Sequence, residues 1–422
     1  MTAFLPLRGG NLVLRLCAGI ALIAAASLPG LAAETPRPLL RGNTPVDWWF
    51  VFKFNSTKFS GCGPDAERTC QFGGRVQLSR YPFGQQFVSA SKADGKLTQG
   101  KGCAGATDSD PLGATFGQIY NGSSNFIIWN DQFNGDPLVC GKSHDCASPW
   151  GHSKGMLAWD DSGEGLIMQV TTPSWPGAGS KRKPRKVTSG NTLGCVKKNN
   201  VKFSQHFFAL KLTKPDLVTV LKALANASVA TDPFNPQIAR NGGPQDIRDL
   251  VEQLGQKSKS ETVTKDRLST GVTLISKPSK LHVPPWQLAS ALLDQESNRS
   301  ATWWASPRIT STNKRTPVSC WPSDGSLKKP GASLIVRSGQ WRGTEFKMIS
   351  GSNHAKIGVT TSGDQHYTIL SDLNQQGRLT PPKCDSSQNG RGGLFFVLDD
   401  KKLFDSMSEL LDGDAVDVGD VK

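Results

Sequence analysis

The sequence predicts a mixed α/β fold. β-Branched and aromatic runs bounded by turn residues are typical of strands, and they occur at 46–54, 125–129, 207–212, 271–276, 333–337 and 393–399. Aliphatic residues at helical spacing predict helices at 217–224, 247–254 and 403–411. Strands and helices are mixed along the chain rather than strictly alternating, so no regular βαβ repeat is expected.

The first 33 residues have the features of a cleaved secretory signal. Arg8 and Arg15 precede or border an apolar run from 16 to 28, and a Pro-Gly break and small residues follow it. That run is too short to span a bilayer as a helix, and no later segment is long and apolar enough to do so. We expect a secreted or, because the signal is alanine-rich as in bacteria, a periplasmic protein without a membrane anchor.

The length that remains, about 390 residues, accommodates one large domain or two modest ones. A polar stretch from 232 to about 266 is the best candidate for a surface excursion near the middle of the chain. We therefore expect a signal at 1–33, an N-terminal half at 34–228 and a C-terminal half at 229–422.

Eight of the nine cysteines follow the predicted signal. An even number of cysteines in an exported chain predicts disulfides rather than free thiols or metal ligands. Six lie in the N-terminal half and two in the C-terminal half, which favours pairing within halves. The expected pairs are Cys62–Cys70, Cys103–Cys195, Cys140–Cys146 and Cys320–Cys384. A metal loop through His144 is the less favoured alternative for the segment 140–146.

The chain is strongly basic, with 49 Lys and Arg against 35 Asp and Glu and a formal net charge of +14. A basic exported protein is biased toward polyanions such as nucleic acid, acidic polysaccharide or anionic lipid headgroups. The densest basic segment, SKRKPRK at 180–186, is typical of a loop that contacts phosphates and equally of a merely solvated loop.

Two of only six histidines occur in the same H-x-K spacing. His152 and Lys154 lie in GHSKG, and His354 and Lys356 lie in NHAKIG. Each motif is followed by an apolar run, a glycine-containing turn and a second apolar run, which predicts a β-hairpin. Because residues two apart on a strand share a face, the histidine and lysine of each copy should point together.

Two such hairpins would supply the groups for metal-free phosphodiester cleavage if their His-Lys faces met. A neutral imidazole can attack phosphorus, a protonated imidazole can donate a proton to the departing alkoxide, and two lysines can hold the non-bridging oxygens. A covalent phosphohistidine would then let the second histidine act as base for water. Because the two histidines need opposite protonation states, they should titrate as a coupled pair with a mildly acidic optimum.

A single H-x-K motif is more often part of a solvated loop than of a catalytic site. Two copies, each followed by the same hairpin, favour chemistry. Of the other histidines, His206 is expected to be structural, and His366 lies in the second hairpin's turn, away from the site. Asp131 and Gln132 end a predicted strand, where they either line the site and contact substrate or hold a turn.

The motifs resemble those of the deoxyribonuclease II family, the acid DNases, whose fold belongs to the phospholipase D superfamily. The segments that carry the resemblance are PVDWWFVFKF, IIWNDQ, GHSKGMLAWDDSGEGLIMQVTTPSWP, NTLGCV, HAK, SDLN and GRGG. It runs from about 45 to 398 with a divergent middle, and 151–176 is its most specific part. The resemblance implies two pseudo-symmetric α-β-α halves sharing one active site. It also implies endonucleolytic hydrolysis of DNA to 3′-phosphate and 5′-hydroxyl ends with no metal or other cofactor.

The resemblance also implies roles for individual residues. His152 and Lys154 would form the first catalytic motif, and His354 and Lys356 the second. Asn374 would orient the phosphate. In phospholipase D-type sites the nucleophile is usually the first-half histidine, which implies His152 as nucleophile and His354 as acid and base.

The chain departs from the family at several positions. Ser174 stands where the family has asparagine, so a hydroxyl replaces an amide in a substrate-binding position. No cysteine precedes the PVDW segment, so Cys195 needs another partner than in the animal enzymes. Trp48 and Trp49 should face opposite sides of one strand, so only one is expected in the core. The other would stack on bases or, as we favour, pack under a loop.

Two other functions remain open from the residues alone. A phospholipase D-type lipid phosphodiesterase would use the same chemistry, but it would need an apolar entrance where the sequence has basic loops. A non-enzymatic secreted DNA-binding protein would need the charge but not the histidines. Since one chain supplies both motifs, a monomer can assemble the site, while a homodimer would let two basic clefts clamp duplex DNA.

Overall fold

The structure is a computed structural model in which most of the chain after the predicted signal is described. The described residues are 34–55, 86–101, 104–105, 108–120, 122–133, 138–141, 145–173, 179–180, 183–184, 203–302, 311–348 and 351–418. The predicted signal at 1–33 lies outside them, as does most of the basic segment 180–186. Ala33–Lys422 is a single compact unit, which leaves the boundary at 228 a prediction.

The first large sheet has eight strands in the described part of the chain. With strands numbered in chain order, it runs in space as β10 (Ala239–Arg240), β4 (Asn125–Asn130), β5 (Lys154–Trp159), β6 (Gly165–Val170), β9 (Gln205–Leu212), β1 (Trp48–Lys53), β2 (Phe87–Ser91) and β3 (Thr98–Gln99). β10 belongs to the predicted C-terminal half by number, yet it pairs with β4 of the N-terminal half.

The second large sheet has seven strands among the described residues. It runs as β11 (Thr264–Arg267), β12 (Thr273–Lys277), β19 (Gly393–Asp399), β18 (Tyr367–Ser371), β17 (Ile357–Thr360), β13 (Ser297–Ala301) and β14 (Ala332–Ile335). Two short hairpins are separate from both sheets: β7 (Gly179–Ser180) with β8 (Lys183–Pro184), and β15 (Ser338–Trp341) with β16 (Thr344–Lys347).

Five α-helices are described: α1 (Pro111–Tyr120), α2 (Lys214–Asn226), α3 (Gln245–Glu252), α4 (Pro285–Leu292) and α5 (Lys401–Leu410). α2 begins at a capping box, in which Thr213 and Asp216 satisfy each other's backbone N–H groups. It packs on β6 and β9 of the first sheet and on β12 and β19 of the second. α2 therefore lies where the two sheets meet. No helix in the described ranges has the length and apolar character needed to cross a bilayer.

The two sheets share an order of strands. The first contains the run β4-β5-β6-β9-β1 and the second the run β13-β17-β18-β19-β12, with every neighbouring pair antiparallel. The strand at the end of each run, β1 or β12, is the first of its run along the chain. A helix follows it in sequence, α1 after β1 and α4 after β12. The hairpins β5–β6 and β17–β18, which follow the two H-x-K motifs, hold the same place in each run.

The core has layers on both faces of the first sheet. One apolar cluster lies between the two sheets, where Phe208 of β9 meets Phe396 of β19 with ring centroids 5.3 Å apart. A second cluster lies on the opposite face of the first sheet, against α1. Trp48 belongs to the first cluster and Trp49 to the second, and both are buried. The expectation that only one is in the core is wrong, because this sheet is covered on both faces.

All six predicted strands and all three predicted helices are present, as β1, β4, β9, β12, β14, β19 and as α2, α3 and α5. Both predicted hairpins are confirmed by antiparallel pairing of β5 with β6 and of β17 with β18. α1 and α4 were not predicted. α1 contains two glycines, which lower helix propensity, and α4 is buried on nearly every side, so neither has a polar and an apolar face.

Two of the four predicted disulfides fall within the described residues, and both are present. Cys140 bonds Cys146, and Cys320 bonds Cys384. The first bond removes two thiolates from any metal loop through His144, so that alternative is not supported. The predicted pairs Cys62–Cys70 and Cys103–Cys195 lie outside the described residues.

Gly155, the second glycine of GHSKG, is required by packing. A Cβ at this position would lie 2.4 Å from the ring of Trp129 and 2.4 Å from the carbonyl oxygen of Met168. The indole ring of Trp129, on the neighbouring strand β4, therefore occupies the space that a side chain at position 155 would need. Gly117 of α1 has no atom within 4 Å of the same position and is a matched control.

We expect Gly155→Ala to lower the free energy of unfolding by about 1–3 kcal/mol, because the added methyl group must displace an indole ring or the backbone. Gly117→Ala should raise it by roughly 0.5–1 kcal/mol, because alanine loses less backbone entropy in a helix. Urea denaturation of both variants measures the two changes. Equal stability of Gly155→Ala and the parent protein would contradict the packing described.

Candidate functional site

Backbone hydrogen bonds to neighbouring segments hold the first H-x-K motif at the start of β5. The N–H of Gly151 donates to the carbonyl of Ser228 at 2.9 Å, and that of His152 donates to the carbonyl of Gly392 at 2.8 Å. A Cβ on Gly151 would lie 2.5 Å from the carbonyl oxygen of Ala227. The first glycine of GHSKG is thus required by the close approach of the chain that follows α2.

The second motif is held in a similar way before β17. The N–H of His354 donates to the carbonyl of Ser204 at 2.8 Å. The side chain of Asn353 forms two 3.0 Å hydrogen bonds with the backbone of Ala355, which fixes the turn through the motif. The ammonium of Lys356 donates to the carbonyl of His354 at 2.7 Å.

Three donors converge on the carboxylate of Asp131, which follows β4. Nδ1 of His152 lies 2.8 Å from Oδ2, and Nζ of Lys154 lies 2.6 Å from Oδ1. Arg391, in the segment before β19, donates to Oδ2 at 2.8 Å and also to the backbone carbonyls of Cys146 and Gly151. Asp131 therefore orients both side chains of the first motif and ties them to the second sheet.

The contact with Asp131 fixes the tautomer of His152. Because a carboxylate only accepts, Nδ1 carries the proton, and Nε2 of the neutral ring keeps its lone pair. Burial lowers the pKa of His152 to about 3, since the Lys154 and Arg391 charges offset much of the carboxylate's opposing effect. Burial alone would raise the pKa of Asp131, but its contacts with His152, Lys154 and Arg391 hold that pKa well below its ordinary value.

His354 has a different environment. Its ring stacks on Phe203, with centroids 4.9 Å apart and planes 17° from parallel. It also hydrogen-bonds the backbone of Thr171, which directly follows the second strand of the first hairpin. Burial lowers the pKa of His354 well below its ordinary value, and the charges of Lys356, Lys154 and His152 lower it further. His152, by contrast, is bonded to the carboxylate of Asp131.

The two motifs form one electrostatic unit. Burial, followed by the charge of Lys154, lowers the pKa of Lys356 to about 7, while Asp131 and Asp372 act in the opposite direction. The four motif side chains are buried but not sealed, since His152 and His354 retain 8% and 6% exposure. An anion that entered between them would meet two lysines and two imidazoles at once.

The other residues expected at the site are placed as follows. Gln132 is half-buried, and its N–H donates to the side-chain oxygen of Asn130 at 2.8 Å, as in a turn. Asn374 is buried beyond the end of β18, where its N–H donates to the side chain of Gln388 at 3.4 Å. Ser174 lies outside the described residues. The carboxylate of Asp131 contacts the first motif directly.

Several residues at the site were not predicted. Arg391 lies in the GRGG segment, and Asp372 lies in SDLN, but neither has a spacing signal of its own. His206, expected to be structural, is buried, and its Nδ1 accepts a hydrogen bond from the N–H of Lys356 at 3.2 Å. His366, as expected, lies away from the motifs, edge-on to the ring of Phe404. The contacts in the folded structure are what identify Arg391, Asp372 and His206 as part of the site.

Comparisons with known proteins give one strong match. A family model described as deoxyribonuclease II matches residues 39–413. No curated protein matches the chain. Among solved structures, the crystal structure of a mutant yeast tyrosyl-DNA phosphodiesterase aligns over 68% of this chain and 87% of that chain, with 8% sequence identity and a TM-score of 0.34. That overlap is too loose to establish a common fold.

We expect Asp131→Asn to lower the free energy of unfolding by about 3–5 kcal/mol at pH 7, because Lys154 and Arg391 stay buried without their counter-charge. The folded-state pKa of Asp131 lies below its unfolded value, so its contribution is present above the unfolded pKa and lost as pH falls toward the folded pKa. The gap between parent and variant should therefore narrow in acid. Urea denaturation at several pH values measures it.

Asp246→Asn is the matched control for Asp131→Asn. Asp246 pairs with Lys214 at 3.0 Å, but their side chains are 54% and 40% exposed, so water screens the pair. This variant should have the stability of the parent protein. A small loss for Asp131→Asn, indistinguishable from that of the control, would show that the buried carboxylate does not organise the site.

Proposed function

Because the chain belongs to the deoxyribonuclease II family, we propose that its two H-x-K motifs form one active site that hydrolyses DNA through a phosphohistidine, without a metal ion. Family membership makes the chain a deoxyribonuclease, a hydrolase of DNA phosphodiester bonds. The convergence of His152, Lys154 and Arg391 on Asp131 is the observation that carries the mechanism. Among the described residues, this convergence leaves Nε2 of His152 available as a nucleophile beside Lys154.

In the first step, Nε2 of His152 attacks phosphorus, and the bond from phosphorus to the 5′-oxygen breaks. His354 donates its proton to that oxygen, which leaves as a 5′-hydroxyl. Lys154 and Lys356 hold the non-bridging oxygens, whose charge grows in the transition state. The phosphorylated ring of His152 carries a positive charge, which the carboxylate of Asp131 stabilises at Nδ1.

In the second step, water replaces the imidazole. Neutral His354 takes a proton from the water, the new phosphorus–oxygen bond forms, and the bond from phosphorus to Nε2 of His152 breaks. The product leaves with a 3′-phosphate, and both histidines return to their starting states. His354 thus acts first as acid and then as base.

The difference between the two histidines supports this assignment. A nucleophile that becomes a cationic phosphoimidazole gains from a bonded carboxylate, which His152 has. A group that must shuttle a proton gains from an environment in which its pKa can move. His354 is stacked on Phe203 and hydrogen-bonded to Thr171, so its pKa depends on the charge of the bound phosphate.

The burial of both histidines supports an acidic optimum. Their pKa values lie below the ordinary value of histidine, so the protonated donor is scarce in the free site at neutral pH. A bound phosphate raises both pKa values by its opposite charge, and low pH supplies the proton.

The donor set supports a reaction without a metal ion. Asp131 is the carboxylate beside His152, and Lys154 and Arg391 are bonded to its oxygens. A divalent cation would have to displace both. The two lysines supply the positive charge that a metal would otherwise bring to the phosphate.

The architecture we propose has two pseudo-symmetric α-β-α halves of phospholipase D type, divided at 228, each supplying one motif. The shared strand order of the two sheets supports it. We further propose that Gln132, Asn374 and Ser174 contact the DNA around the phosphate. A monomer suffices for catalysis under this proposal, and two disulfides fit secretion into an oxidising compartment.

Cleavage of plasmid DNA in excess EDTA at pH 4 to 8 tests the reaction. We expect cleavage throughout and fastest at the acid end, and a loss in kcat/KM of at least about 10³-fold for His152→Ala and for His354→Ala. His366→Ala should keep the parent rate. Loss of activity in EDTA with recovery on adding a divalent metal would refute the mechanism.

A substrate with a good leaving group separates the roles of the histidines. Thymidine 3′-(4-nitrophenyl phosphate) releases nitrophenolate, which needs no proton donor. We expect His354→Ala to release one equivalent in a burst and to accumulate phosphohistidine, which mass spectrometry of a peptide containing position 152 detects. His152→Ala should give neither. A burst in His152→Ala with label on His354 would reverse the assignment.

A further inference from the structure

A second buried carboxylate, that of Asp372, receives hydrogen bonds from three partners. Asp372, which follows β18, accepts from Nε2 of Gln169 at 3.1 Å through Oδ1 and from the N–H of Leu394 at 3.1 Å through Oδ2. The hydroxyl of Ser153, the middle residue of the first H-x-K motif, is its third partner. Asp372 directly follows a strand of the second sheet, whereas Gln169 lies in β6 of the first sheet and Ser153 directly precedes β5.

The hydroxyl of Ser153 has a defined direction. The indole Nε1 of Trp129 donates to Ser153 Oγ at 2.8 Å. Because an indole N–H is only a donor, the Ser153 proton is free to point to the carboxylate of Asp372. Asp372 is therefore connected to the residue that separates His152 from Lys154.

A second series of hydrogen bonds runs from Asp372 through Gln169 to the second motif. Oε1 of Gln169 faces Nε2 of His206 at 3.2 Å, and Nδ1 of His206 faces the backbone N–H of Lys356 at 3.2 Å. Since the N–H of Lys356 must donate, Nδ1 of His206 accepts and Nε2 carries the proton. That proton goes to the oxygen of the Gln169 amide, which leaves the amide nitrogen for Asp372. Every direction in this chain is fixed.

We propose that Asp372 is a positioning residue that sets the two H-x-K motifs relative to each other. It holds the first motif through Ser153 and the second through Gln169, His206 and the backbone of Lys356. The proposal rests on the proposed function, in which both motifs must act on one phosphate. A displacement of about 1 Å between reacting groups is enough to cost on the order of 10²-fold in rate.

The chain needs a carboxylate at 372 because all of its partners there are donors. An asparagine would present its own N–H₂ to Gln169 or to Leu394. If the introduced N–H₂ faced Gln169, two donors would oppose each other. The side-chain amide of Gln169 would then have to flip, which would place its oxygen toward position 372 and its nitrogen toward the N–H of His206. His206 would then have to change tautomer and oppose the N–H of Lys356. The effect of replacing one carboxylate oxygen by an amide nitrogen at position 372 would thus reach the second motif.

Charge supports the same placement. Burial raises the pKa of Asp372 to about 7, while the hydrogen bonds from Ser153 and Gln169 and the charge of Lys154 act to lower it. When it is ionised, Asp372 acts in turn to raise the pKa of Lys356. The carboxylate thus interacts with the lysines of both motifs.

Exchange of carboxylate and amide between positions 372 and 169 tests the proposal. At pH 8, where the carboxylate of Asp372 is ionised, Asp372→Asn should lower kcat on an oligonucleotide by about 10²-fold with little change in KM, because ground-state binding survives while alignment is lost. Gln169→Glu should also lose kcat, because it places two carboxylates side by side. The double variant should recover most of the loss, since a glutamate at position 169 can accept from both His206 and the amide introduced at position 372.

Asn298→Asp is the matched control. Asn298 is buried in β13 and hydrogen-bonds Trp286, Ser290 and Ser333 outside this chain, so it should lose stability and keep kcat. If Asp372→Asn does not fold, Ser153→Ala cuts the same chain at its other end and should lower kcat with its fold retained.

Outcomes for this proposal and for the proposed function are separable. An inactive parent protein would refute the function itself. With an active parent, an unchanged kcat in Asp372→Asn would overturn the positioning role. Additive losses in the double variant, or an equal loss of kcat in Asn298→Asp, would show that position 372 acts only through general stability.

Discussion

The hydrogen-bonded ion pairs of Asp131 are the contacts on which the site depends. This carboxylate receives His152, Lys154 and Arg391 within 2.8 Å in the buried space between two sheets. Removing the carboxylate would leave Lys154 and Arg391 without a counter-charge in a place where their desolvation is costly. Because Arg391 precedes β19 and Asp131 follows β4, the same carboxylate that orients His152, the proposed nucleophile, also joins the two sheets. The orientation of the first motif and the association of the two sheets therefore depend on the same carboxylate.

Close backbone approach makes this geometry possible. Gly151 lies against the carbonyl of Ala227, and Gly155 lies under Trp129, so neither glycine of GHSKG has room for a side chain. The two glycines of the motif are therefore as necessary to its geometry as His152 and Lys154. The second motif uses another solution, in which Asn353 fixes the turn and Phe203 stacks on His354. The two motifs share a spacing but differ in their supports, which fits a division of chemical roles.

The sequence predicts much of this fold, because its strands carry dense apolar runs and its hairpins carry glycine turns. It also predicts the two motifs, since a repeated H-x-K spacing is rare in a chain with six histidines. It does not predict the supports. Arg391 and Asp372 are isolated in sequence, more than 200 residues from the first motif, and their role exists only once the sheets meet. The burial of both Trp48 and Trp49 was missed for the same reason: periodicity shows which faces a strand has, not how many of them are covered.

The central claim is that two distant motifs form one phosphate site. Titration calorimetry with inorganic phosphate, the anion that the site is proposed to bind, tests it directly at acid pH. One divided site predicts one equivalent bound per chain, with binding lost in Lys154→Met and equally in Lys356→Met. Two equivalents per chain, or full affinity in either lysine variant, would contradict the claim, because each motif would then bind its anion alone.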